Sequence, residues 1–145
     1  MLRKVSTFFS FVFVAVIMNG CTAVTVKPVD ISAGVKNVCI EENPKVTIKN
    51  FLPVLQQGFQ RHGVTTQVYS GEKPSGCDAV LTYTALRSWD FTTYLSHAEL
   101  YLQKDGVNIA SAEYHLRGKG GFSLMKWRGV KTKMDPVIDQ LLKDY

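Results

Sequence analysis

Residues 94–116, YLSHAELYLQKDGVNIASAEYHL, decide how this chain reads. Two runs with apolar residues at every second position flank Lys104-Asp105-Gly106, which is the signature of a β-hairpin with strands at 94–103 and 107–116. A three-residue loop with Gly106 in the left-handed conformation pairs Leu100 with Ala110, Ala98 with Ala112, Ser96 with Tyr114 and Tyr94 with Leu116. That register turns one small-and-apolar face inward, whereas a two-residue Asp-Gly turn would mix the faces. It also sets His97 opposite Glu113, with Glu99 and His115 on the same outer face.

Upstream of the hairpin, residues 79–88 read as another strand, preceded by the turn-rich loop SGEKPSG at 70–76 and a strand at 64–69. A helix fits residues 51–62. Asn50 is its expected N-cap, Pro53 falls in the first turn where no amide proton is needed, and Gly63 stops it. Leu52, Leu55 and Phe59 share its apolar face. Residues 35–40 form the first strand, broken by Glu41-Glu42-Asn43-Pro44. Downstream, 118–132 is irregular. A last helix is expected from Asp135 (N-cap) and Pro136 (first position) to Lys143, with Val137, Ile138, Leu141 and Leu142 as its stripe.

The predicted order is β-α-β-β-β-β-α, an α+β fold with two helices on one face of a mostly antiparallel sheet. The β-α-β start implies one parallel pair. At 145 residues, 46% hydrophobic and 20% charged, the chain suits one globular domain, with no internal repeat.

The N-terminus has a different character. Arg3 and Lys4 precede an uncharged, mostly apolar run of 14 residues, VSTFFSFVFVAVIM at 5–18. Spanning a bilayer takes about 20 residues, so the run has instead the length of a signal-peptide core. It ends in Met18-Asn19-Gly20-Cys21, which resembles a lipobox: Gly20 and Cys21 match, while Met18 and Asn19 depart from the usual Leu and Ala or Ser. Residues 1–20 are then a lipoprotein signal peptide, Cys21 carries the lipid, 21–35 form a lipidated tether, and 36–145 form the single domain. Acyl chains at about 0.8 kcal/mol per buried methylene hold such a protein at a bilayer without a spanning helix. By resemblance to the enterobacterial sorting scheme, Thr22 directs the chain to the periplasmic face of the outer membrane.

With Cys21 acylated, Cys39 and Cys77 remain, an even pair in an oxidising compartment. They are expected to form one disulfide, worth about 4 kcal/mol in the chain-entropy model; two free thiols or a metal site are the competing readings. If the strands carrying them are antiparallel neighbours, the strand order is 2-1-3-4-5.

Removal of residues 1–20 leaves 15 Lys and Arg against 12 Asp and Glu, a mild net charge of +3. The excess is concentrated in Arg117, Lys119, Lys126, Arg128, Lys131 and Lys133, interleaved with Phe122, Leu124, Met125 and Trp127. Such a mixture, Trp127 included, suits contact with anionic lipid headgroups or another anionic envelope polymer, and export excludes nucleic acid as the partner. The plainer reading packs the apolar residues under the sheet and leaves the cations solvated.

No motif assembles a catalytic site. There is no G-x-S-x-G, and Arg117-Gly118-Lys119-Gly120-Gly121 lacks the spacing of a phosphate loop. His97, Glu99, Glu113 and His115 have the chemistry to bind zinc, but cross-strand His and Glu on a solvated face more often form ordinary polar surface. No metal, cofactor or enzymatic activity is therefore assigned.

Four segments, Cys21–Val24, Cys39–Pro44, Leu81–Asp90 (LTYTALRSWD) and Ser111–Gly121 (SAEYHLRGKGG), together resemble a small family of lipoproteins of Gram-negative bacteria. The resemblance spans essentially the whole chain after residue 20. It implies lipidation and a single domain and brings no activity. The expectation is a membrane-anchored, non-enzymatic binding or scaffolding protein that touches the bilayer through Cys21 and an envelope protein or anionic polymer through its folded body. A metal-dependent envelope enzyme, or an accessory subunit of an envelope assembly machine, is the alternative.

Overall fold

The structure, a computed structural model, describes residues 22–145; the expected signal peptide and the lipidation site Cys21 lie outside the described residues. The fold is α+β. Its strands are β1 (Thr22–Lys27), β2 (Asn37–Glu41), β3 (Thr65–Tyr69), β4 (Ala79–Asp90), β5 (Thr92–Lys104) and β6 (Val107–Leu116), with helices α1 (Phe51–Arg61) and α2 (Val130–Leu141). They build one six-stranded mixed sheet in the order β1-β6-β5-β4-β2-β3.

Two features of the expected sheet need correction. Residues 22–27, read as tether, form an edge strand antiparallel to β6, with Thr22 opposite Leu116 and Lys27 opposite Ser111. TAVTVK has the β-branched alternation of a strand, and β6 offers it an open edge. The rest of the expected tether is also fastened: Val29 and Val35 are buried, Val29 donates its amide proton to Leu141 O (2.9 Å), and the Tyr145 hydroxyl donates to Asp30 O (3.2 Å).

The second correction concerns direction. β2 and β4 are neighbours, but they run parallel, not antiparallel. β3 lies parallel to β2 on its other side, so the loop after Tyr69 must carry the chain back to the start of β2 before β4 begins. Asp78 secures that return by accepting the amide protons of Lys36 (2.9 Å) and Asn37 (2.8 Å), contacts that lower its carboxyl pKa. The Cys39–Cys77 disulfide joins the same two places across 5.6 Å between Cα atoms.

α1 begins at Phe51, directly after Asn50, as expected, but the cap at Asn50 and the start of α2 differ from expectation. Asn50 is left-handed (φ 63°) and makes no side-chain cap. α2 begins at Val130, so Asp135 is not its N-cap and Pro136 lies inside the helix. The full apolar stripe, Val130, Met134, Val137, Ile138 and Leu141, outweighs the one hydrogen bond that Pro136 forgoes. α1 and α2 pack together over Phe59, Leu100, Leu102, Ile138 and Leu141, all essentially inaccessible. Among the described residues no helix is long and apolar enough to cross a membrane.

Candidate functional site

The β5–β6 hairpin closes through a two-residue turn, Asp105-Gly106 with φ of 52° and 77°, and Lys104 pairs with Val107. The expected three-residue loop is not formed. A bulge repairs the mixed faces that such a turn would produce: Gln103 pairs with Asn108 but Leu102 with Ala110, leaving Ile109 as the extra residue. Beyond it the apolar residues again face the helices, shifted by two from the expected register. Ala98 opposes Tyr114 and Leu100 opposes Ala112.

The shift changes which polar residues meet outside. His97 stands opposite His115, and Glu99 opposite Glu113. The two imidazoles approach edge to face, Nδ1 to Nδ1 at 3.3 Å. His97 Nε2 lies 2.9 Å from Glu99 Oε1, and the Tyr101 hydroxyl donates to Glu99 Oε2 at 3.1 Å. The hydrogen bond to His97 lowers the Glu99 pKa; burial opposes it, and the hydrogen bond from Tyr101 adds a smaller lowering; Glu99 in turn raises the pKa of Tyr101. Glu113 Oε1 is 4.0 Å from His97 Nδ1. As the side chains stand, no group of three or more His, Cys, Asp or Glu among the described residues could hold a metal ion. A hollow of about 580 Å³ opens beside the histidines, bordered by Leu86, Ser88, Ser96 and Gly118.

The second candidate region is the end of the sheet where β1 begins, β6 stops and the β4–β5 hairpin turns. Residues 117–129 form two short 3-10 turns, Arg117–Gly120 and Leu124–Trp127, lashed to that hairpin by inward-pointing polar groups. The Tyr94 hydroxyl donates to Lys119 O (3.0 Å), and Trp127 Nε1–H donates to Asp90 O (3.1 Å). Lys126 Nζ meets the Asp90 carboxylate, donates to Gly121 O (2.9 Å) and lies 4.7 Å from the Trp127 ring centre. Lys133 Nζ reaches back from α2 to the carbonyls of Leu95 (2.9 Å) and Lys126. Burial pushes the Lys133 pKa down to about 8.

Lys126 and Lys133 are therefore structural ties, and the sequence reading that put them on an anionic-binding surface is corrected. Arg117, Lys119, Arg128 and Lys131 are exposed as expected, although Lys131 pairs with Asp135 at 2.7 Å. The expected packing of the apolar residues is also reversed. Phe122, Leu124 and Met125 are out in solvent, at 105%, 75% and 52% exposure, with only Trp127 half-buried. Trp89 and Phe91, at 74% and 88%, continue the patch on the hairpin tip, and Phe91 packs its ring edge-on to Trp127 at 6.3 Å. Of the two readings the sequence allows, the plainer one, with Phe122, Leu124 and Met125 under the sheet, is not realised; Phe91 has no role in either. The available signal is a bulky aromatic residue in the short connection between the strands expected at 79–88 and 94–103; in the structure it sits at the hairpin tip with φ of 60°.

No protein-family profile matches this chain, and no curated protein does. Solved structures of PelC share its fold. The PelC dodecamer from Paraburkholderia phytofirmans superposes with a TM-score of 0.55 at 12% identity, over 83% of this chain and 96% of that one. A point variant of the same PelC, also a dodecamer, gives 0.53 at 10% identity, over 83% and 94%. At that identity the likeness extends to the fold alone.

Proposed function

We propose that this protein is a lipid-anchored lipoprotein of the cell envelope, on the periplasmic face of the outer membrane, whose folded body rests end-on against the bilayer. Its role is binding or scaffolding, not catalysis. The observation that carries this reading is a coincidence of place. Trp89, Phe91, Phe122, Leu124 and Met125 are exposed at the end of the sheet where Thr22, the residue after Cys21, pairs with Leu116.

Because residues 22–27 belong to the sheet, acyl chains on Cys21 hold that end at the membrane surface with no slack. An apolar patch that would be a liability in water then has an occupant. Aromatic residues suit the headgroup region, and Arg117, Lys119 and Arg128 beside them suit anionic phosphates. Each cation near an anionic surface contributes about 1 kcal/mol. Phe91 adds a backbone argument: a non-glycine residue with φ of 60° and an exposed aromatic ring is costly in solution and reasonable where the ring has a partner.

The test uses residues 22–145 without lipid, mixed with vesicles of mixed zwitterionic and anionic lipid. Sedimentation should find binding that weakens with salt, and Arg117→Gln, Lys119→Gln and Arg128→Gln combined should reduce it at least tenfold. Absence of salt-sensitive binding by the unsubstituted domain would overturn the end-on reading. The anchor is checked by mass spectrometry of the chain from its native host, which should find lipid on Cys21 and residues 1–20 gone.

A further inference from the structure

We propose that His97 and His115 form a site for a divalent transition-metal ion on the outer face of the sheet, with Glu113 as third ligand and Glu99 orienting His97. An ionised carboxylate only accepts, so the 2.9 Å contact between His97 Nε2 and Glu99 Oε1 puts the proton of the neutral ring on Nε2 and leaves Nδ1 with a free lone pair. That lone pair is on the side of His115, whose Nδ1 lies 3.3 Å away. Two imidazole nitrogens on a tetrahedral zinc, each about 2.0–2.1 Å from the ion, stand about 3.3 Å apart. As a hydrogen bond between nitrogens the distance is long; as the span of two ligands it fits.

The surroundings supply what a bare histidine pair lacks. Glu99 on the far nitrogen is the carboxylate–histidine–metal arrangement that fixes the tautomer and raises the basicity of the ligand, and the Tyr101 hydroxyl holds Glu99 in turn at 3.1 Å. Glu113, with its side chain about half exposed, lies 4.0 Å from His97 Nδ1 and has to turn toward the histidines to serve as the third ligand. The fourth corner faces the hollow of about 580 Å³, open to water or to a ligand group. Two nitrogens and one carboxylate select zinc, copper or nickel over magnesium or calcium, which prefer all-oxygen shells. The strands hold the site rigidly, since His97 and His115 are paired residues of β5 and β6.

The experiment titrates zinc into the full chain, purified in detergent and stripped with a chelator, and follows the heat. One ion should bind per chain. His97→Ala and His115→Ala should each weaken binding at least tenfold, Glu99→Gln by about tenfold, and His62→Ala not at all. Circular dichroism of each variant verifies the fold; His115→Gln, which keeps a polar group on the surface, should lose zinc as His115→Ala does. No stoichiometric zinc uptake by the unsubstituted chain, or equal uptake by the two histidine-to-alanine variants, would overturn the proposal.

Discussion

Lys133 carries its ammonium into the protein until only 8% of the residue is exposed, and its three donors find two carbonyls there. Burial lowers its pKa from 10.5 to about 8 in the folded state. Between those values the unfolded chain binds the more protons, so the contribution of Lys133 to stability rises with pH across that window and is flat below it. Comparing wild type with Lys133→Met isolates the effect from the other titrating groups. From pH 7.5 to pH 10 the stability difference, measured by urea unfolding, should move toward wild type by up to about 2 kcal/mol. A difference that stays constant over that range would mean that the ammonium is not desolvated.

At the scale of elements, the two helices meet at a glycine. A Cβ on Gly58 would stand 2.6 Å from Cδ1 and 2.8 Å from Cγ2 of Ile138. Helix propensity alone favours Ala over Gly by about 1 kcal/mol. Packing opposes it, and overfilling a tight core costs about 1–3 kcal/mol. Gly58→Ala should therefore lower stability in urea unfolding, and Ile138→Val in the same chain should recover part of the loss. A more stable Gly58→Ala protein would show that α1 and α2 can separate freely.

Elements are also where the sequence reading succeeds and fails for identifiable reasons. The ranges of β4, β5 and β6 follow from alternation that the structure retains. The turn at Asp105-Gly106 was misjudged because a bulge at Ile109, which restores the faces, leaves no mark in the hydrophobic pattern. The sequence starts α2 six residues late because Lys131 and Lys133 hide the first half of its stripe and Pro136 imitates a helix start. The missed edge strand at residues 22–27 has a similar cause: a six-residue β-branched run after an anchor reads equally as linker until β6 is known to end beside it.

The largest departure belongs to the whole molecule. Between residues 117 and 133 the expected order of inside and outside is inverted, with Lys126 and Lys133 buried and Phe122, Leu124 and Met125 exposed. Composition could place basic and aromatic residues together there. It could not say which would turn inward, because that depends on Asp90 and the Leu95 carbonyl of the β4–β5 hairpin and on the Gly121 carbonyl within the segment itself. The histidine cluster was legible as four residues on one face, and only the register two residues further on brought the imidazoles together.

The claim that this end of the body meets the membrane is tested most directly by the fluorescence of Trp89. The full lipidated chain carrying Trp127→Phe is reconstituted into vesicles whose acyl chains are brominated just below the headgroups. Trp89 emission should be shifted to the blue and strongly quenched relative to bromine-free vesicles. Emission that is unquenched and typical of a water-exposed indole would contradict the account.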